Sequence, residues 1–124
     1  MGLDQYVCCY QGEKPDEEVD FELDKSIERS YLHTWRKHPD LHGWMEGLYN
    51  HKGGQNEFNC VNLWLSGEDI QDLKKSIKEN TLPYTSGFFF GESDGSEKEE
   101  DLEFCERALD KINNGYQIYY TSWY

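Results

Sequence analysis

From Leu3 to Tyr10 the chain mixes tyrosine, valine and cysteine, and the polar run Gln11-Gly12-Glu13-Lys14-Pro15 then interrupts it. Such residues suit a pleated strand, and glycine with proline suits the turn that closes it. From Asp20 onward, Leu23, Ile27, Tyr31 and Trp35 recur every fourth residue. That spacing predicts a helix ending near His38, because a residue that precedes proline disfavours helical backbone. Pro39 can open a second helix, and Leu41, Trp44, Met45, Leu48 and Tyr49 form its apolar stripe. The glycines of His51-Lys52-Gly53-Gly54-Gln55-Asn56 then mark a loop.

Cys60 to Leu65 alternates, with Val61, Leu63 and Leu65 on one side and Asn62 and Trp64 on the other, which is the period of a strand. Ser66-Gly67-Glu68-Asp69 matches a capping box, so a third helix carries Ile70, Leu73 and Ile77 inward and stops by Asn80 and Pro83. Gly87-Phe88-Phe89-Phe90-Gly91 reads as a short aromatic strand or loop and is followed by a polar, acidic stretch from Glu92 to Asp101. A fourth helix bears Leu102, Cys105, Ala108, Leu109 and Ile112 and ends at Asn113-Asn114-Gly115. Tyr116 to Tyr124 alternates as a last strand, with Ile118 and Tyr120 opposite Tyr119, Thr121 and Trp123. These elements predict an α+β fold: a small mixed or antiparallel sheet of three to four strands packed with about four helices.

The length of 124 residues suits one domain spanning 1–124. Four tryptophans, nine tyrosines and six phenylalanines argue for a folded, aromatic-rich core despite the low mean hydropathy. The 25 acidic residues outnumber the 12 basic ones, for a net charge of −13, so the overall field repels nucleic acid and anionic lipid and attracts basic surfaces. Direct nucleic-acid binding is therefore disfavoured. The acidity either serves solubility alone or makes a working surface that imitates phosphates. Cys8, Cys9, Cys60 and Cys105 form no disulfide framework, and Met1-Gly2-Leu3-Asp4 lacks the basic and apolar regions of a signal sequence. No apolar run reaches membrane-spanning length, so a cytosolic protein with free thiols is expected.

His33, His38, His42 and His51 lie close in sequence, with Cys60 beyond them. Pro39 interrupts the series and no zinc-type spacing occurs, so neither a metal nor another cofactor is expected. The densest basic spot is Trp35-Arg36-Lys37-His38, with His42 and Trp44 nearby. Guanidinium forks match anionic oxygens and indole faces suit flat rings, so Trp35, Arg36, Lys37, His42 and Trp44 are candidate ligand-binding residues. Thr85 and Ser86 are the hydroxyls beside the aromatic block that could line the same pocket. The alternative places Arg36 and Lys37 as ordinary charges at a helix end and the tryptophans in the core. No Gly-x-Ser-x-Gly nucleophile motif is expected and no residue is assigned a catalytic role, so enzymatic activity, such as hydrolysis of the same small ligand, is left open without a supporting motif.

Several separated motifs carry a resemblance: Met1-Gly2-Leu3-Asp4-Gln5-Tyr6, Trp35-Arg36-Lys37 with Leu41-His42-Gly43-Trp44, and Phe58-Asn59-Cys60. They continue through Leu82-Pro83-Tyr84-Thr85-Ser86-Gly87-Phe88-Phe89-Phe90-Gly91 to Tyr119-Tyr120-Thr121-Ser122-Trp123. In these the chain resembles a family of small proteins encoded by bacteriophages and prophages. It departs from that family's pattern at Gln5, where methionine is common, and in a shorter stretch after the first strand. The resemblance implies action in the cytoplasm of an infected bacterium. With the charge, it leads to the expectation of a non-enzymatic accessory or counter-defence protein that binds a basic host protein as a nucleic-acid mimic. The rival expectation is a protein that sequesters a nucleotide or another small anionic ligand through Arg36, Lys37 and His42.

Overall fold

The structure, a computed structural model, describes residues 2–87 and 90–124. Its elements in chain order are β1 (Asp4–Gln11), β2 (Ser30–Arg36), α1 (Pro39–His51), β3 (Leu63–Leu65), α2 (Gly67–Lys78), α3 (Lys98–Asn113) and β4 (Tyr116–Trp123). The strands form one antiparallel sheet in the order β2-β1-β4-β3. The α+β class is as expected, with three helices rather than four among the described residues. No helix among the described residues is long and apolar enough to cross a membrane.

The expected helix over Asp20 to His38 is instead an irregular segment followed by β2. A four-residue spacing is also twice the strand period, so Tyr31 and Trp35 fit either reading, and the aromatic and β-branched content of Ser30–Arg36 favours the strand. Upstream, the Asp24 carboxylate accepts the Ser26 N–H at 2.8 Å, a turn that competes with helix formation. Leu23 and Ile27 still pack inward, against Cys8, Tyr10, Phe21 and Tyr119 on the outer side of the sheet. The segment also borders β3, where the Trp64 N–H donates to Glu18 and the Asp20 N–H donates to Asn62, and so shields that edge strand.

The helices cover the other face of the sheet. Val7, Leu63, Leu65, Ile118 and Tyr120 meet Leu41, Met45, Ile70, Leu73, Phe104 and Ala108 there with almost no exposure. The stripe of α1 falls as expected, with Trp44 and Leu48 half-buried at its margin. The aromatic residues are not all core: Tyr31, Tyr84 and Trp123 are exposed. Of the aromatic block, Phe88 and Phe89 lie outside the described residues, and Phe90 is buried.

Helix α2 begins with the expected capping box. Ser66 Oγ accepts the Asp69 N–H at 3.0 Å, and the Asp69 carboxylate accepts the Ser66 N–H at 2.9 Å. Lys52, just past α1, donates to that carboxylate at 2.6 Å and to the Trp64 carbonyl at 2.7 Å, which ties the end of α1 to the start of α2. Ser66→Ala is expected to lower unfolding stability in urea by about 1 kcal/mol, the usual contribution of such a cap.

Candidate functional site

The candidate basic island is divided between separate environments. Trp35 faces inward from β2 and packs edge-on to Phe104, and its indole N–H donates to Asp101 Oδ1 at 2.8 Å. Arg36 and Lys37 are exposed at the end of that strand, with Lys37 in the left-handed region at φ 60°. His42 is buried on α1 among Phe58, Phe90, Tyr120 and Tyr124, with Nδ1 2.8 Å from Tyr120 Oη. Thr85 packs over Gly43, where any Cβ would collide with it, and its N–H donates to Asp40 at 3.0 Å. Ser86 is exposed. The polar atoms described for Trp35 and His42 are thus committed to internal partners, on different neighbours.

The histidines likewise go to different places. His33 accepts at Nδ1 from the Arg107 guanidinium, 2.8 Å away, and burial followed by that positive charge depresses its pKa. Burial alone holds His42 down to a pKa of about 4, so its ring is neutral at physiological pH. Among the described residues no three His, Cys, Asp or Glu side chains are grouped to hold a metal. The four cysteines are free, and burial pushes the Cys105 thiol up to about 12, which keeps it protonated.

His38 is the residue the structure organises most closely. Its backbone N–H donates to Gln5 Oε1 at 2.8 Å, and its carbonyl accepts from Gln5 Nε2 at 3.0 Å, on a glutamine with no exposure. Beside it the Lys37 N–H donates to the Leu3 carbonyl, so the link between β2 and α1 is clamped to the start of β1. The ring nitrogens are held from the opposite end of the sequence. Nε2 lies 2.7 Å from Asp101 Oδ2, and Nδ1 lies 2.7 Å from Ser93 Oγ and 3.5 Å from Glu97 Oε2. A carboxylate only accepts, so Nε2 carries the proton shared with Asp101. With a single ring proton at Nε2, Nδ1 accepts from the Ser93 hydroxyl, whose oxygen in turn accepts the Asp40 N–H at 3.1 Å. Ser93 therefore caps α1 from 53 residues away, in place of the side chain at the helix's own N-cap position.

His38, Ser93 and Asp101 line a cavity of about 180 Å³, together with Asp40, Glu97 and Lys98 and the apolar walls of Ile77 and Leu82. Neither Ser93 nor Asp101 stands out by composition, since both sit in the acidic stretch that opens α3. The expected absence of a Gly-x-Ser-x-Gly motif is corrected: Gly91-Glu92-Ser93-Asp94-Gly95 has that spacing, with both glycines at positive φ, although no strand among the described residues leads into it.

An acidic stripe runs along the outer face of α3. Glu99, Glu103, Glu106 and Asp110 recur at i, i+4, i+7 and i+11, opposite the buried Asp101, Phe104, Cys105 and Ala108. At 1.5 Å per residue the stripe is about 16 Å long. Only its third member has a basic side chain against it among the described residues, in the Lys74–Glu106 pair. Compared with protein-family models, with curated proteins and with solved structures, the chain matches none.

Two outcomes test this arrangement. Gln5→Leu leaves the buried His38 N–H without an acceptor and is expected to lower unfolding stability in urea by about 1–3 kcal/mol. His42 has a pKa of about 4 in the folded chain, against about 6.5 unfolded, so below pH 6.5 the unfolded state takes up a proton that the native state does not. Stability is therefore lost as pH falls from 6.5 towards 4, by up to about 3 kcal/mol from this residue. His42→Gln should flatten that part of the pH profile, and the His42 ring resonances in an NMR titration should hold their neutral positions down to pH 5.

Proposed function

We propose that the protein binds a basic macromolecular partner through the carboxylate stripe of α3. The observation that carries this reading is the exposure of Glu99, Glu103 and Asp110 on one helix face with no basic side chain against them among the described residues. Successive charges along that face are about one helical turn apart, a spacing of the order of 5–6 Å that a row of lysines or arginines can follow. The net charge of −13 adds long-range attraction to any such partner. The resemblance to phage-encoded proteins suggests a host nucleic-acid-binding protein, displaced from its own anion by this imitation, in the cytoplasm of an infected bacterium. The small-anion alternative, built on Arg36 and Lys37, has less support, because the aromatic and imidazole groups meant to complete its pocket are turned into the core.

The test is retention of bacterial DNA-binding proteins on the immobilised protein. Basic proteins should be held at low ionic strength and released as salt shortens the screening length from about 10 Å at 0.1 M towards 3 Å at 1 M. The triple variant Glu99→Lys, Glu103→Lys, Asp110→Lys should abolish retention. Retention unaffected by either salt or the triple variant would contradict the proposal.

A further inference from the structure

We propose that Ser93, His38 and Asp101 form a nucleophilic relay that cleaves esters of small acyl groups within the cavity at the head of α3. With one ring proton, shared with the Asp101 carboxylate, the hydrogen bonds run in one direction: Ser93 Oγ–H to His38 Nδ1 and His38 Nε2–H to Asp101 Oδ2, each at 2.7 Å. Asp101 is itself fixed by the Trp35 indole, at 2.8 Å. A nucleophile within reach of a base, with that base oriented by a third group, is the arrangement by which a weak hydroxyl is activated, and the roles rather than the chain order define it. The ring here faces serine with Nδ1 and the carboxylate with Nε2, and either nitrogen can serve as the base.

Three further features fit the chemistry. Ser93 is half-buried on the wall of a cavity rather than sealed inside the core. Its oxygen sits at the N-terminus of α1 and accepts a helix N–H, where the dipole favours the partial negative charge on Oγ as its proton leaves. The imidazolium formed in that step would lie between two carboxylates, Asp101 at Nε2 and Glu97 at Nδ1.

In the reaction, Ser93 Oγ attacks the carbonyl carbon of the ester as its proton passes to His38 Nδ1. The tetrahedral adduct collapses, His38 returns the proton to the departing alkoxide, and Ser93 is left acylated. Water then loses a proton to His38 and attacks the acyl carbon, which releases the carboxylic acid and restores the serine hydroxyl. Ile77 and Leu82 offer an apolar wall for the acyl group, and about 180 Å³ admits only a short one. Asp40 and Glu97 beside the serine disfavour an anionic substrate. Glu97 Oε1 is buried without a partner among the described residues, so a hydrogen-bond donor on the substrate would satisfy it.

The experiment is labelling of the intact protein with an alkyl fluorophosphonate, which phosphonylates activated serines. Peptide mass spectrometry should find one adduct, on Ser93, absent in Ser93→Ala, with the rate in His38→Gln lower by at least about tenfold. Asp101 acts as a positioning residue, and Asp101→Asn should move the pH midpoint of labelling to lower pH, which a merely structural role would not do. No adduct on Ser93 of the wild-type protein, or labelling at an unchanged rate in folded His38→Gln, would overturn the proposal and leave Ser93 as a helix cap only.

Discussion

The Gln5 amide holds both backbone polar groups of His38, while Ser93 and Asp101 hold its two ring nitrogens, so one residue joins the first strand, the entry to α1 and the head of α3. Buried polar groups left without partners cost more than their hydrogen bonds return, so this junction is favourable only when every member is in place. The rest of the structure follows from it. The strand-to-helix link cannot move relative to β1, the loop before α3 must fold back over α1 so that Ser93 reaches the helix terminus, and Trp35 is anchored through Asp101. The cavity is the space this closure leaves.

The acidic stripe and the cavity share a helix but differ in character. Glu99, Glu103 and Asp110 are exposed side chains whose interaction with the proposed partner would be long-range and screened by salt. Asp101, on the same helix, is buried and committed to two donors, and its role is to fix geometry. The proposed binding and the proposed bond cleavage would thus be separable, one set by charge density and the other by alignment of hydrogen bonds.

Much of the fold was legible in the sequence because local signals agreed with one another. The Pro39 start and the Leu41–Tyr49 stripe specified α1, Ser66 with Asp69 specified the start of α2, and the alternation through Ile118 and Tyr120 specified β4. The failure at Ser30–Arg36 arose where a four-residue spacing serves helix and strand alike, and the outcome was set by pairing with β1, a contact between distant segments. The site was less legible for the same reason. Trp35 and His42 carry chemistry that suits a ligand, but nothing local reveals that one is turned towards Asp101 and the other towards Tyr120. Ser93 and Asp101 lie 55 and 63 residues from the histidine they bind, among many acids that disguise them. Gly91-Glu92-Ser93-Asp94-Gly95 was the one local cue.

The protonation pattern of His38 tests the central claim most directly. Long-range proton–nitrogen correlation NMR at neutral pH distinguishes the two imidazole nitrogens by their shifts. If the ring is fixed between Asp101 and Ser93, Nε2 should carry the proton and Nδ1 should show the shift of a bare, hydrogen-bonded acceptor. Averaged shifts from two rapidly exchanging tautomers, as in a freely solvated imidazole, would show that the junction does not hold the ring and would contradict the account.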